Sequence, residues 1–219
     1  MIPSSDGRYF INSIQQTLKK RVIHMAFEPK STQALIRMSD IPERDLSKID
    51  ADYQYADPKD GEEVAVIHTN YGDISFRFLT QAAPMAAENF KALAKAGRYD
   101  GTIFHRVIDG FMIQGGDYTH FDGTGGESAF GESFGYEVCE HVRNSEGSVA
   151  MAHSSLPDSN GSQFYINQVD NHYLDGSYTV FGQVFDGMDV VEAIASVATD
   201  YADKPLSDVV IESVEITAY

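Results

Sequence analysis

One run of the sequence, residues 104–117 (FHRVIDGFMIQGGD), combines a cation with large apolar side chains, an amide and paired glycines. Arg106 supplies the permanent charge. A mixture of this kind is typical of an apolar pocket in which a few polar groups anchor a ligand. Phe104, Val107 and Ile113 are more simply explained as core residues, so this run alone indicates a site only weakly.

Other kinds of site have less support in the sequence. The seven histidines form no i, i+4 pair and no cluster with a cysteine, so we expect neither a metal site nor a metal cofactor. Cys139, the single cysteine, has no intrachain partner, and we do not expect it to be a catalytic thiol. The glycine-rich run at 123–128 lacks the Lys-Ser/Thr ending of a phosphate loop and is interpreted as part of a binding groove.

Three further runs follow in order: GTGGES at 123–128, NGSQFYIN at 160–167 and LDGSYTVFGQVFDGMDVV at 174–191. Together with residues 104–117 they resemble the cyclophilin family in its bacterial-like form, and the similarity extends over residues 63–218. Four separated motifs in family order are much more specific than any one of them. The resemblance implies a mainly β fold, a closed eight-stranded antiparallel β-barrel capped by two α-helices. It also implies an enzyme, a peptidyl-prolyl cis/trans isomerase (rotamase) that uses no cofactor.

The resemblance also implies roles for individual residues. Arg106 matches the family's catalytic arginine, whose guanidinium would weaken the resonance behind the barrier to X-Pro rotation, roughly 18–20 kcal/mol. The matched substrate-binding positions are Phe111, Met112, Gln114, Gly123, Ala152, His153, Gln163, Tyr165, Tyr173 and Leu174. The apolar members would seat the proline ring, and the two glutamines would bind the peptide backbone, which predicts broad peptide specificity.

Three of these positions depart from the family pattern. Tyr165 stands where phenylalanine is usual, and its hydroxyl is expected to narrow or wet the proline pocket. Tyr173 stands where many eukaryotic members have tryptophan, so we expect cyclosporin to bind weakly. His153 stands where asparagine or arginine is common, and we interpret it as a solvent-exposed loop residue, with a mild effect of pH on binding as the alternative.

The predicted elements agree with a barrel. Two β-rich runs within residues 64–78 predict a hairpin, residues 83–96 and 188–198 predict helices, and the alternating run at 208–217 predicts a last strand. Short β-like runs lie near residues 103–107, 111–115, 148–152, 163–167 and 179–184. Many short strands with only two helices favour a closed barrel, because closure removes exposed sheet edges.

Residues 1–60 lie outside the resemblance and form a predicted N-terminal extension. The run DPKDG at 57–61 reads as a turn, and we place the boundary there, with the isomerase domain at 61–219. Apolar residues at intervals of three and four between Ile11 and Val22 predict an amphipathic helix, so the extension should be partly helical. We expect it to pack on the barrel, because its apolar stripe needs cover.

Charge and hydropathy limit the partners and the location. The formal net charge is −17, and residues 1–60 hold nine basic and nine acidic residues, so the whole excess lies in residues 61–219. A domain this acidic is a poor binder of nucleic acid. No run approaches the ~20 apolar residues of a membrane helix, and no signal peptide is recognisable. We therefore expect a cytoplasmic protein-folding factor, acting on proline-containing peptides and protein clients.

Two other interpretations of function remain open. The barrel can be a binding module that holds proline-containing segments with little turnover, although the presence of Arg106 favours an enzyme. Alternatively, residues 1–60 can be the functional part, which recruits a client or covers the groove.

Overall fold

The computed structural model describes residues 34–156 and 158–219. The helix predicted between Ile11 and Val22 lies outside the described residues. The strands are β1 (Glu63–Thr69), β2 (Gly72–Phe78), β3 (Thr102–Ile103), β4 (Arg106–Ile108), β5 (Met112–Gly115), β6 (Ser148–Met151), β7 (Phe164–Asn167), β8 (Val180–Asp186) and β9 (Val210–Ala218). The α-helices are α1 (Pro84–Lys95) and α2 (Met188–Ala195), and short 3-10 helices lie at Met38–Asp40, Leu46–Lys48 and His172–Leu174.

The strands form a single antiparallel sheet in the order β3-β9-β1-β2-β8-β6-β7-β5-β4, which curls into a half-barrel. The predicted mainly β fold with two α-helices is confirmed. The described residues contain nine strands rather than the predicted eight, because the run near residues 103–107 is divided: Ile103 pairs with β9, whereas Arg106 pairs with β5. These two edge strands are consecutive in the chain, so a short connection rather than a hydrogen-bonded ladder joins the edges.

Side chains alternate between the two faces of the sheet along each strand, so an outer row of side chains lies on the face opposite the main core. Arg106 pairs with Gln114, Gln114 with Tyr165, and Tyr165 with Ala150, so that β4, β5, β7 and β6 each contribute one residue to the row. Successive side chains of a strand point to opposite faces. The sequence neighbours of the row therefore belong to the main core, which includes Val107, Ile113, Ile166 and Val149. The outer row provides the platform of the candidate site.

The core is centred on the aromatic ring of Phe90, which α1 places over the inner face of the sheet. The Phe90 side chain is fully buried, and its ring centroid lies 4.8 Å from that of Tyr99, 5.2 Å from Phe76 and 5.3 Å from Phe164. Edge-to-face and offset stacking of such rings adds stabilisation beyond the burial of area. The platform is thus backed by a rigid aromatic core.

The described part of the extension contacts the barrel directly. Arg44 donates from Nε to the carbonyl oxygen of Ala82 at 2.8 Å and from Nη2 to that of Val138 at 2.7 Å. Gln54 is fully buried. The described residues belong to one compact unit. Among residues 34–156 and 158–219, no helix combines the length and the apolar character required to cross a membrane.

Candidate active site

A pocket of about 120 Å³ opens on the outer row of the sheet. Its lining residues are Arg106, Phe111, Met112, Gln114, Ala152, His153, Tyr165, Leu174 and Tyr178. Met112 and Tyr165 are buried, whereas Phe111 and Leu174 are half-buried at its sides. Eight of the nine lining residues are positions that the sequence analysis assigned to a site, and the exception is Tyr178. The pocket is apolar in most of its lining and carries one cation.

That cation, Arg106, lies on the edge strand β4 with 42% of its side chain exposed. Its Nη1 is 3.5 Å from Gln114 Oε1, and its Nε is 3.6 Å from the carboxylate of Asp203. Both distances are long for hydrogen bonds that a guanidinium donates. The two neighbours therefore orient the guanidinium without saturating its five N–H donors.

A second pocket of about 280 Å³ adjoins the first and shares Gln114, Ala152 and His153 with it. Its remaining lining residues are Gly123, Thr124, Gly125, Gly126, Ser154, Ser159, Gly161 and Gln163. A row of amides connects the two pockets, because Gln114 Nε2 donates to Gln163 Oε1 at 3.0 Å. Gln163 Nε2 in turn donates to the carbonyl oxygens of Gly123 and Gly125, each at 2.8 Å.

The loop at residues 117–125 is organised by the buried carboxylate of Asp117. One oxygen accepts from the backbone N–H groups of Thr119 and His120 and from the Thr119 hydroxyl, and the other from the N–H groups of residues 122, 123 and 125. Burial by itself would raise the pKa of Asp117, but these hydrogen bonds outweigh it and lower the pKa to about 2.

This hydrogen bonding also decides against a cation site in the loop. Asp117, His120 and Asp122 lie close enough together to share an ion. Both oxygens of Asp117 are, however, surrounded by N–H and O–H donors, which leaves a metal ion no free lone pair on that carboxylate. We therefore interpret the loop as a structural support for the second pocket.

Gly123 is required by the geometry of this loop. Its φ is +88°, and a Cβ atom added to it would lie 2.9 Å from His105 Nε2. Only glycine adopts such a conformation without strain. His105 beneath it is buried, and burial lowers the pKa of its imidazole.

The hydroxyl of Tyr165 is bonded within the protein. It donates to Asn144 Oδ1 at 2.7 Å, and both residues are buried. Burial raises the pKa of Tyr165 well above its ordinary value, because an ionised phenol would be poorly solvated there. The donor capacity of the extra hydroxyl is thus used by the protein itself.

His153 lies in a loop and is half-buried, and its ring is stacked between two tyrosine rings. It lies 4.7 Å from the ring of Tyr136 and 4.3 Å from that of Tyr178. Its Nδ1 is 2.7 Å from the carbonyl oxygen of Ser154, and its Nε2 is 2.9 Å from that of Ser177. Because carbonyl oxygens only accept, both contacts are hydrogen bonds only when the ring is protonated.

The sequence analysis missed one residue that lines the first pocket, Tyr178, and assigned to the site one residue, Tyr173, that lines neither pocket. The Tyr178 ring meets that of Tyr165 edge to face at 5.8 Å. Its position four residues after Leu174, within the run 174–191, is a signal that could have been used. Tyr173 is 73% exposed and stacks on Phe111 with ring centroids 6.1 Å apart.

The fold and site define a class of protein, an antiparallel half-barrel with an apolar pocket on its outer face and an arginine in the lining of that pocket. Residues 64–216 match the family described as "Cyclophilin type peptidyl-prolyl cis-trans isomerase/CLD". The chain belongs to this family of cyclophilin-type peptidyl-prolyl cis/trans isomerases. The function and the enzyme class predicted from the sequence are thereby confirmed.

Known relatives agree with this placement. The chain is 43% identical over 153 residues to a peptidyl-prolyl cis-trans isomerase of Arabidopsis thaliana. This match covers 69% of the present chain and 94% of the Arabidopsis protein. The chain is 47% identical over 153 residues to a peptidyl-prolyl cis-trans isomerase of Rhizopus delemar, but that match covers only 24% of the longer relative. The crystal structure of a Cryptosporidium parvum cyclophilin is similar with a TM-score of 0.69 and 36% identity, and covers 72% of this chain and 98% of that one.

Proposed function

We propose that the apolar pocket binds the proline of a peptide substrate and that Arg106 is the catalytic residue. The observation that carries this proposal is the position of the guanidinium, which lines the same pocket as Phe111, Met112 and Leu174. A partly exposed guanidinium at an apolar pocket can reach the X-Pro carbonyl while the ring lies among the apolar side chains. Holding the ring still lets the preceding residue rotate against it.

Arg106 accelerates this rotation by stabilising the twisted state of the bond. In the planar ground state the nitrogen lone pair is delocalised into the carbonyl, which gives the barrier of about 18–20 kcal/mol. In the twisted state the nitrogen regains its lone pair and can accept a hydrogen bond. A guanidinium directed at this nitrogen and at the carbonyl oxygen therefore binds the transition state more strongly than the ground state. The reaction makes and breaks no covalent bond, either in the protein or in the substrate.

The polar rim would hold the peptide backbone on both sides of the proline. Gln114 and Gln163 offer amide groups along the floor that joins the two pockets, so residues next to the proline would lie over the second pocket. Backbone recognition of this type selects little among side chains. A similar crystal structure, 37% identical with a TM-score of 0.68, is that of the Cryptosporidium parvum cyclophilin in the presence of the dipeptide Ala-Pro. The use of this dipeptide with a similar protein supports a proline-containing ligand here.

We further propose the context in which this site acts. Proline-containing segments of protein clients would be the natural substrates, and cyclosporin would bind weakly because of Tyr173. The isomerase domain would be residues 61–219, which the match over residues 64–216 supports, with residues 1–60 as its extension. A single cysteine suits the reducing cytoplasm, where we place the protein.

The test is the exchange rate of a short Ala-Pro peptide, measured by NMR with catalytic amounts of protein. We expect Arg106→Ala to lower kcat/KM about a hundredfold or more, the effect of removing a preorganised transition-state donor. Arg106→Lys keeps the charge but not the planar pair of donors and should restore only a small part of the rate. Arg37→Ala, at an exposed arginine remote in sequence from the site, is the matched control.

Retention of peptide affinity and full activity by the Arg106→Ala variant would contradict this mechanism. Peptide binding by the intact chain without any acceleration would favour the binding module over the enzyme. A truncation that starts at Ala34 keeps the contacts of Arg44, Gln54 and Tyr55 with the barrel. It tests whether the preceding residues cover the groove, because a covered groove would gain activity on their removal.

A further inference from the structure

One buried contact between the extension and the barrel is made by the side chain of Gln54. Its Oε1 accepts from the backbone N–H of Arg143 at 2.9 Å, and its Nε2 donates to the carbonyl oxygen of Arg143 at 2.9 Å. The same Nε2 is 2.9 Å from Gln183 Oε1 on β8. A single side-chain amide thus satisfies both backbone groups of Arg143, as the neighbouring strand does in a sheet.

The next residue of the extension makes a second contact on the same loop. The hydroxyl of Tyr55 is 2.7 Å from the hydroxyl of Ser145. Gln54 and Tyr55 therefore hold the residues on either side of Asn144. Asn144 is 1% exposed, and its Oδ1 is the acceptor for the hydroxyl of Tyr165, which lines the pocket.

We infer that Gln54 and Tyr55 are positioning residues for the proline pocket. They fix the backbone at Arg143 and Ser145, this backbone sets the position of Asn144, and Asn144 orients the ring of Tyr165. Neither residue lines the pocket. The inference rests on the proposed assignment of this pocket to the substrate proline, and it makes part of the extension a support of the active site.

The need for such a support follows from the local structure. Asn144 lies in the stretch between β5 and β6, residues 116–147, which contains isolated bridges but no helix or strand. No ladder of backbone hydrogen bonds therefore holds the residues around Asn144. On the pocket side, Asp175 accepts from the backbone N–H of Asn144 at 2.7 Å. On the opposite side, Gln54 fixes the backbone of the preceding residue, Arg143, through two hydrogen bonds. Because the pocket-side hold remains after Gln54 is lost, we expect a partial effect on catalysis.

The test is a double-mutant cycle on kcat/KM for the Ala-Pro peptide. Gln54→Ala should lower kcat/KM about threefold to tenfold in the full chain, which is the effect of losing one buried hydrogen-bonding partner. Tyr55→Phe, which removes a single hydroxyl, should lower it about twofold. In a Tyr165→Phe background both effects should nearly disappear, because no hydroxyl is left for Asn144 to orient.

Two further measurements separate positioning from general stability. Urea denaturation identifies conditions in which every variant is fully folded, and kcat/KM is compared only there. The hydroxyl proton of Tyr165, which NMR detects while it is buried and hydrogen-bonded, should broaden or shift in Gln54→Ala. Ser47→Ala, at an exposed residue of the same segment, should change neither quantity.

Equal losses of kcat/KM in the intact and Tyr165→Phe backgrounds would overturn the inference, because Gln54 would then act independently of the pocket tyrosine. Unchanged activity in both Gln54→Ala and Tyr55→Phe would also overturn it. Where Gln54→Ala does not fold, the milder Tyr55→Phe carries the same cycle. Failure of the intact chain to accelerate exchange is a different result, which would refute the proposed function itself.

Discussion

The loop at residues 117–125 should depend on the charge of Asp117, and Asp117→Asn measures that dependence. A pKa lowered from 3.8 to about 2 corresponds to about 2 kcal/mol of stabilisation, since each pKa unit is worth roughly 1.4 kcal/mol. Asparagine has the same size as aspartate, but an NH₂ group replaces one of the two oxygens. The backbone N–H groups that donate to that oxygen in the intact chain would then face another donor. We therefore expect the free energy of unfolding at neutral pH to fall by about 2 kcal/mol.

The pH dependence gives a sharper form of this prediction. Because the pKa of Asp117 is lower in the folded than in the unfolded chain, its contribution is complete above about pH 4 and is lost as the pH falls toward about 2. The difference in stability between the intact chain and Asp117→Asn should shrink over the same range. Urea denaturation followed by circular dichroism measures both. Asp122→Asn, at an exposed carboxylate that accepts from the backbone N–H of Thr124, should destabilise the fold much less than Asp117→Asn does.

Two results would refute this reasoning. The first is a variant as stable as the intact chain at neutral pH. The second is a difference in stability that stays constant down to about pH 2, which would mean that the shape of the Asp117 side chain matters and its charge does not.

The remaining predictions concern the rim of the groove. Gly123→Ala should destabilise the fold by about 1–3 kcal/mol and weaken peptide binding in an NMR titration, because φ is +88° and the new Cβ would press on His105. Gly176→Ala, with φ +76° and open space around it, isolates the backbone strain, and an equal cost there would exclude the His105 contact as a cause. Tyr173→Trp should strengthen cyclosporin binding about tenfold by calorimetry, because the indole N–H would make one hydrogen bond that the phenol is not placed to make. Unchanged affinity would show that residue 173 does not limit that binding.

The sequence predicted the elements well where the pattern was local. The two helices near 83–96 and 188–198 and the hairpin within 64–78 are present in the structure. Their signals arise from residues three to four apart in a helix or two apart in a strand, and such neighbours interact whatever the rest of the chain does. The division of the run near 103–107 into β3 and β4 was not predictable, because it depends on pairing with β9 on one side and β5 on the other.

The sequence by itself determined the family and eight of the nine residues that line the first pocket, since motifs of fixed order and spacing carry that information. Only the tertiary structure decided how these residues are supported. The carboxylate of Glu137, which is distant in sequence from α1, accepts hydrogen bonds from the first backbone N–H groups of that helix. The side chain of Gln54 makes the hydrogen bond to Arg143 that a neighbouring strand would make in a sheet. The physical reason is that a polar side chain at long sequence separation finds its partner only after the chain between them has folded, and no local pattern records that pairing.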